Sequence, residues 1–272
     1  LIYLWLLSLT VYIGASQSVE AIVWRASGAP EINREEPSVS GGEVPWRLQG
    51  QWGLYSGTPI SSNLFITAAH VGGAVGDSLR LMERNYVTAA SFRHPSADLR
   101  VFKVYGAFPE FAPLFTGLSE RRRTALYLGR GAQRGDEVRV DGALRGWLWG
   151  ERDHVLRRGL NVIDGYGDNS ETILVSRFDS NTLDQECHLS TGDSGGGVFL
   201  RQAGRWTLAG INSGVSGPYR LQADGASFNA TLFSEAGLFK QQGPDDWVLQ
   251  PQDGSAESGM LLSVLLKPYH EC

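Results

Sequence analysis

Cysteine is nearly absent from this chain. Two occur in 272 residues, Cys187 and Cys272, too few for a disulfide framework, so the fold must stand on its buried core. The two can pair or stay free. Free thiols are the favoured reading, with Cys187 as a small buried hydrophobe. Basic charge is also in short supply: 24 Lys and Arg against 29 Asp and Glu leave a net charge of −5. That balance excludes nucleic acid as the main partner. The short basic runs Arg121-Arg122-Arg123 and Arg157-Arg158 read as solvated loops. No His/Cys/Asp group has zinc-ligand spacing, and neither a metal nor another cofactor is expected. Long apolar runs are missing too. Residues 1–13 and 260–266 are both too short to cross a bilayer, so no stable membrane anchor is expected. The chain has no internal repeat, no low-complexity segment and, in its first half, no sustained helical period.

The apolar run at residues 1–13 is followed by small and polar residues, Gly14-Ala15-Ser16-Gln17-Ser18-Val19-Glu20-Ala21. This reads as the hydrophobic region and cleavage zone of a signal peptide spanning residues 1–21, without a charged leading region. Cleavage after Ala15, Ser16 or Ala21 fits the small-residue rule. A secreted or periplasmic protein is expected. The competing reading is a buried strand.

Glycine, by contrast, is abundant: 34 residues, scattered rather than periodic. Short apolar or alternating runs recur between them at 46–48, 52–55, 64–69, 78–82, 86–92 and 99–104. After residue 123 they recur at 125–129, 137–140, 147–149, 155–163, 173–178, 197–200, 206–211 and 227–233. Such spacing predicts an all-β barrel or sandwich. Residues 106–123, with Pro109, Pro113 and Gly117, form the best linker. They separate residues 22–105, an arm and first lobe, from a second lobe at 124–235. Within 236–272, residues 241–254 read as a surface loop. Residues 258–267 read as a terminal amphipathic helix, capped by Ser255 or Ser258 and stopped by Pro268.

The most informative stretch is Leu189-Ser190-Thr191-Gly192-Asp193-Ser194-Gly195-Gly196-Gly197-Val198-Phe199. Glycines around a serine allow positive φ and close approach. A bend there can aim the N–H groups of Gly192 and Ser194 at one point, where an oxyanion would form. A serine hydroxyl needs a base to be a nucleophile. Among His70, His94, His154, His188 and His270, context favours His70. It follows Leu64-Phe65-Ile66-Thr67-Ala68-Ala69, a strand ending in small residues that let another loop come near. An imidazole base needs an acceptor to fix its tautomer. Asp98, at the head of the apolar run Leu99-Arg100-Val101-Phe102-Lys103-Val104, would be costly there without such a partner. Asp77 reads instead as a turn residue.

Thr67-Ala68-Ala69-His70, Asp98-Leu99 and Gly192-Asp193-Ser194-Gly195-Gly196 resemble, in order, the three signature segments of chymotrypsin/trypsin-like serine proteases. The low cysteine count and the short spacing from His70 to Asp98 resemble the compact, bacterial-type members. Leu208-Ala209-Gly210-Ile211-Asn212-Ser213 is similar to the strand that borders the family's substrate cleft. The resemblance implies two six-stranded antiparallel β-barrels with a short C-terminal helix and a site in the cleft between barrels. It implies a serine endopeptidase acting on a protein or peptide substrate through an acyl-enzyme. Ser194 would be the nucleophile, His70 the base and Asp98 its orienter. The N–H groups of Gly192 and Ser194 would form the oxyanion hole, and the Ser213 hydroxyl would support the carboxylate at the cleft.

Several positions depart from the family. Val71 replaces the cysteine after the histidine, and Gly197 replaces a common proline. His188 stands where trypsin-like enzymes carry the aspartate that binds Lys or Arg, so tryptic specificity is not expected. A histidine there would read acidic or polar side chains, or be capped by Glu186. The family's activation step pairs a freed N-terminal amine with the aspartate before the serine, here Asp193. Ile22-Val23, following Ala21, would supply such an amine. Two rivals remain. One is a catalytically inactive protease fold serving as a binding module. The other is a G-x-S-x-G esterase, which requires strand–helix alternation and a histidine after the serine. The Asn229-Ala230-Thr231 sequon lies in an expected strand and is discounted.

Overall fold

A computed structural model describes residues 22–25, 33, 45–167, 169–179 and 183–269. The expected leader and its cleavage sites, most of the arm, His270 and Cys272 lie outside the described residues. Among the described residues, no helix is long and apolar enough to cross a membrane. The chain is all-β, built on two closed six-stranded antiparallel barrels.

A two-residue strand, β1 (Val23–Trp24), precedes the first barrel. That barrel comprises β2 (Gly50–Trp52), β3 (Tyr55–Pro59), β4 (Leu64–Thr67), β5 (Ser78–Leu81), β6 (Arg84–Arg93) and β7 (Arg100–Val104). They close in the order β2-β3-β4-β7-β6-β5. Alternation puts aromatic side chains inside, where no cysteine is needed to hold them. Trp52 lies 5.1 Å from Phe65 and 4.6 Å from Phe102, and Phe65 stacks on Phe102 at 5.2 Å. Leu79, Leu81, Val104 and Phe108 fill the space around them. Residues 46–48, expected as a strand, form a 3-10 turn over Pro45–Leu48. A proline at its head suits the first position of such a turn, not a ladder.

Between β7 and the next strand the chain runs irregularly and bonds to both barrels. Ala112 N–H donates to Pro59 O, and Phe115 N–H donates to Leu208 O. The second half contains β8 (Thr124–Gly129), β9 (Arg134–Val140), β10 (Ala143–Trp149), β11 (Arg157–Tyr166), β12 (Ile173–Arg177), β13 (Cys187–His188), β14 (Gly197–Gln202) and β15 (Arg205–Val215). Then come β16 (Tyr219–Arg220), β17 (Ala230–Leu232), β18 (Phe239–Gly243), β19 (Asp246–Leu249) and β20 (Met260–Leu265). The second barrel closes in the order β11-β12-β20-β15-β14-β8. Small sheets β17-β10-β9 and β16-β18-β19 flank it, and β1 pairs with β13.

Two expectations for the last part are corrected. The terminal helix over 258–267 is instead strand β20, which seals the barrel between β12 and β15. A short, mostly apolar run, Met260-Leu261-Leu262-Ser263-Val264-Leu265, fits a largely buried strand as well as a helical face, and barrel closure decides for the strand. The surface loop over 241–254 contains the second strand of the β18–β19 hairpin. The esterase rival falls with the fold, because Ser194 is followed by strand β14 and not by the helix its elbow requires.

Candidate active site

Strand register brings His70 and Asp98 together. In the β4–β7 pair, Thr67 faces Arg100. Extending that register sets Ala69 opposite Asp98, and Ala69 N–H donates to Asp98 O at 3.2 Å. His70 follows in a single 3-10 turn over Ala69–Val71. Its backbone N–H donates to Asp98 Oδ1 at 2.8 Å, and its Nδ1 lies 2.7 Å from Asp98 Oδ2. Partial burial raises the Asp98 pKa, but hydrogen bonds from the His70 ring, the Ser213 hydroxyl and the His70 amide outweigh it. The carboxyl is held below its ordinary value.

Ser194 arrives from the other barrel. Gly195 N–H donates to Asn212 O and Asn212 N–H to Gly196 O, pinning the serine loop to β15. Gly195 has φ +76°, and a Cβ there would lie 2.2 Å from Ser56 O. Only glycine lets the loop press so close to the first barrel. Ser56 N–H donates to Ser194 O at 3.3 Å. The buried Gln49 side chain spans the same junction. Its Nε2 donates to Thr58 Oγ1 at 2.8 Å, and its Oε1 accepts from Gly197 N–H at 3.0 Å. So held, Ser194 Oγ lies 2.9 Å from His70 Nε2. Ser213 Oγ donates to Asp98 Oδ2 at 2.6 Å.

The backbone before Ser194 turns sharply at Gly192, φ +99°. Asp193 N–H donates to Ser190 O, whereas the N–H groups of Gly192 and Ser194 have no acceptor among the described residues. The Asp193 side chain points away into the interior. Oδ1 accepts from Gly131 N–H at 2.7 Å, and Oδ2 from Ser190 N–H at 2.7 Å and Ser190 Oγ at 3.0 Å. Burial pushes its pKa up to about 6 despite these bonds. Ile22 is fully buried with Cys187 and Leu189, because Val23 pairs with His188.

A cavity of about 130 Å³ opens beside Ser194, lined by Trp149, Leu189, Ser190, Thr191, Asn212, Ser213 and Val215 among others. Among the described residues its walls are apolar or neutral apart from Asp193, which directs its carboxylate to Gly131 and Ser190. Ser213 lines this cavity. His188 does not: it is absent from this lining and wholly buried. Its Nδ1–H donates to Leu189 O at 2.6 Å, and its ring meets Phe178 edge-on at 5.7 Å. Burial lowers its pKa to about 4. Glu186 does not cap it; one of its oxygens accepts from Asp179 N–H. The expectation of a substrate-reading His188 is thus corrected, because β13 turns that side chain inward.

Several participants carry no signal in the sequence. Ser190 shares the Asp193 carboxylate, Trp149 walls the cavity, and Gln49 joins the barrels. Among the described residues, no cluster of His, Cys, Asp or Glu is suited to a metal ion.

No family model and no curated protein match this chain. Among solved structures it is similar to mouse neuropsin, described as a serine protease expressed in the limbic system of the brain. The TM-score is 0.50 at 15% sequence identity, over 84% of this chain and 93% of that one. Likeness at this identity is one of fold, and the fold is chymotrypsin-like.

Proposed function

We propose that this chain is a serine endopeptidase acting on protein or peptide substrates. The observation that carries the reading is a continuous hydrogen-bonded chain, Ser194 to His70 to Asp98, assembled across two barrels. In this mechanism Ser194 Oγ attacks the scissile carbonyl carbon while His70 Nε2 takes its proton. Asp98 keeps Nδ1–H in place and stabilises the imidazolium. The N–H groups of Gly192 and Ser194, lacking other acceptors, donate to the oxyanion. Collapse breaks the C–N bond, the amine leaves with the proton from His70, and the acyl group stays on Ser194. Water then attacks the ester with His70 again as base, and the acid departs.

The neutral cavity supports a preference for an uncharged side chain before the scissile bond rather than Lys or Arg. Asp193 is assigned to activation: a free amine at Ile22 would bring a counter-charge to a buried carboxylate held near pKa 6. N-terminal sequencing of the mature chain tests that point, since a start before Ile22 removes it. The main reading is tested by intact mass after fluorophosphonate treatment. One adduct is expected, mapped to Ser194 and absent from Ser194→Ala. Folded protein without an adduct would leave the inactive binding module as the reading.

A further inference from the structure

Arg152 lies between β10 and β11, and its guanidinium reaches across to the first barrel. Nη2 donates to Leu54 O at 3.2 Å in the β2–β3 turn, and the guanidinium sits 5.4 Å from the Tyr55 ring centroid. It also lies over the α-carbon of Gly192. A Cβ built there would be 2.4 Å from Nη2 and 2.7 Å from Nε. A positive charge therefore rests against Gly192, one of the two oxyanion donors of the endopeptidase reading.

Its flank of Ser194 can be identified. On one side of the serine is the cavity walled by Ser213 and Val215. On the other is Ser56, bonded to Ser194 O, with Leu54 and Tyr55 just before it. A substrate whose acyl half fills the cavity must send its amine half across the Leu54–Tyr55 side, past Arg152.

The guanidinium has capacity to spare. It carries five N–H donors, and among the described residues it forms one hydrogen bond. Its Nε–H is closed off from solvent without an acceptor. Among the described residues, no carboxylate pairs with it: Asp153 is committed to Arg157 at 2.6 and 2.7 Å, and Glu151 is exposed. A planar fork fixed on an aromatic ring and a carbonyl is shaped for a carboxylate.

We propose that Arg152 is a specificity-determining residue that selects a carboxylate on the leaving-group half of the substrate, within the two residues after the scissile bond. This rests on the serine endopeptidase reading. Two sources share the chemistry, an acidic side chain and a free chain end.

Internally quenched peptides test it, cut beside whichever of Ala, Val, Leu or Phe the enzyme takes fastest. They carry Glu, Gln or Lys at the first or second position after the bond and end in an amide. A parallel set places a free α-carboxylate at those positions. Wild-type enzyme is expected to favour Glu over Gln by about tenfold in kcat/KM, the scale of one charge-assisted hydrogen bond. The ratio falls to about one in Arg152→Gln, and Arg152→Glu favours Lys. A preference confined to free chain ends keeps the carboxylate assignment and names its source. A mere tie between barrels would slow all substrates alike, and that uniform loss overturns the proposal. Ser194 labelled by fluorophosphonate with no discrimination among peptides overturns the Arg152 role alone. An unlabelled serine with no cleavage overturns this and the endopeptidase reading together.

Discussion

Ser213 and His70 bond to the same oxygen of Asp98. Oδ2 accepts from the Ser213 hydroxyl at 2.6 Å and from the imidazole at 2.7 Å, while Oδ1 takes the His70 amide. The carboxylate is thus fixed from both barrels, since Ser213 belongs to β15 and Asp98 precedes β7. Ser213→Ala removes one bond to a charged group, and kcat/KM should fall about tenfold. Asp98→Asn should cost about 10⁴, because the imidazole loses its tautomer control. Steady-state kinetics on any cleaved peptide checks both, and equal losses would contradict the ranking.

Gly192→Ala should disable the serine without unfolding the chain. The new methyl meets Arg152, and φ +99° strains any other residue. If the oxyanion donor swings away, the fluorophosphonate labelling rate drops by about 10²–10³. A fully reactive Gly192→Ala protein would show that this amide is not a donor.

His188 gives a pH signature of stability. Its folded pKa is lowered to about 4 by burial, while an unfolded histidine titrates near 6.5. The unfolded chain therefore binds a proton that the folded chain refuses. The resulting stability is present above about pH 6.5 and is lost as pH falls through about 4. The loss is on the order of 3 kcal/mol. Denaturant unfolding of wild type and His188→Phe at pH 7 and pH 4 measures it. Wild type should lose more than the variant on acidification, and parallel losses would refute the assignment.

Cys187 should behave as an inert thiol. It is free and fully buried, and burial pushes its pKa well above the ordinary thiol value. Iodoacetamide at pH 8 should leave it unmodified in native protein and alkylate it in denaturant, as mapped by peptide mass. Rapid native alkylation would show that β13 opens readily.

How far the sequence could be read depended on where each residue's partners lie along the chain. Thr67-Ala68-Ala69-His70 and Gly192-Asp193-Ser194-Gly195-Gly196 were legible because each needs particular neighbours, small residues before the imidazole and glycines around the serine. The residues alone gave a barrel or sandwich in two lobes, and the two-barrel fold was implied by the resemblance of these segments to chymotrypsin/trypsin-like serine proteases. The face of a side chain in a two-residue strand was not legible: His188 turns inward only because β1 lies beside β13. Residues 258–267 misled because Met-Leu-Leu-Ser-Val-Leu suits either a helix or a doubly buried strand. The roles of Gln49 and Arg152 depend on contacts with the opposite barrel, which no local pattern records.

The Gln49 amide sets a limit on motion. It serves Thr58 in one barrel and Gly197 in the other, away from water. Sliding the halves apart would strand a donor and an acceptor, each at about 1–3 kcal/mol. The groove between the barrels is therefore of fixed gauge rather than a closing jaw. On the endopeptidase reading, adjustment would then fall to the incoming polypeptide: segments already extended or locally unfolded would enter, and compact ones would have to loosen first.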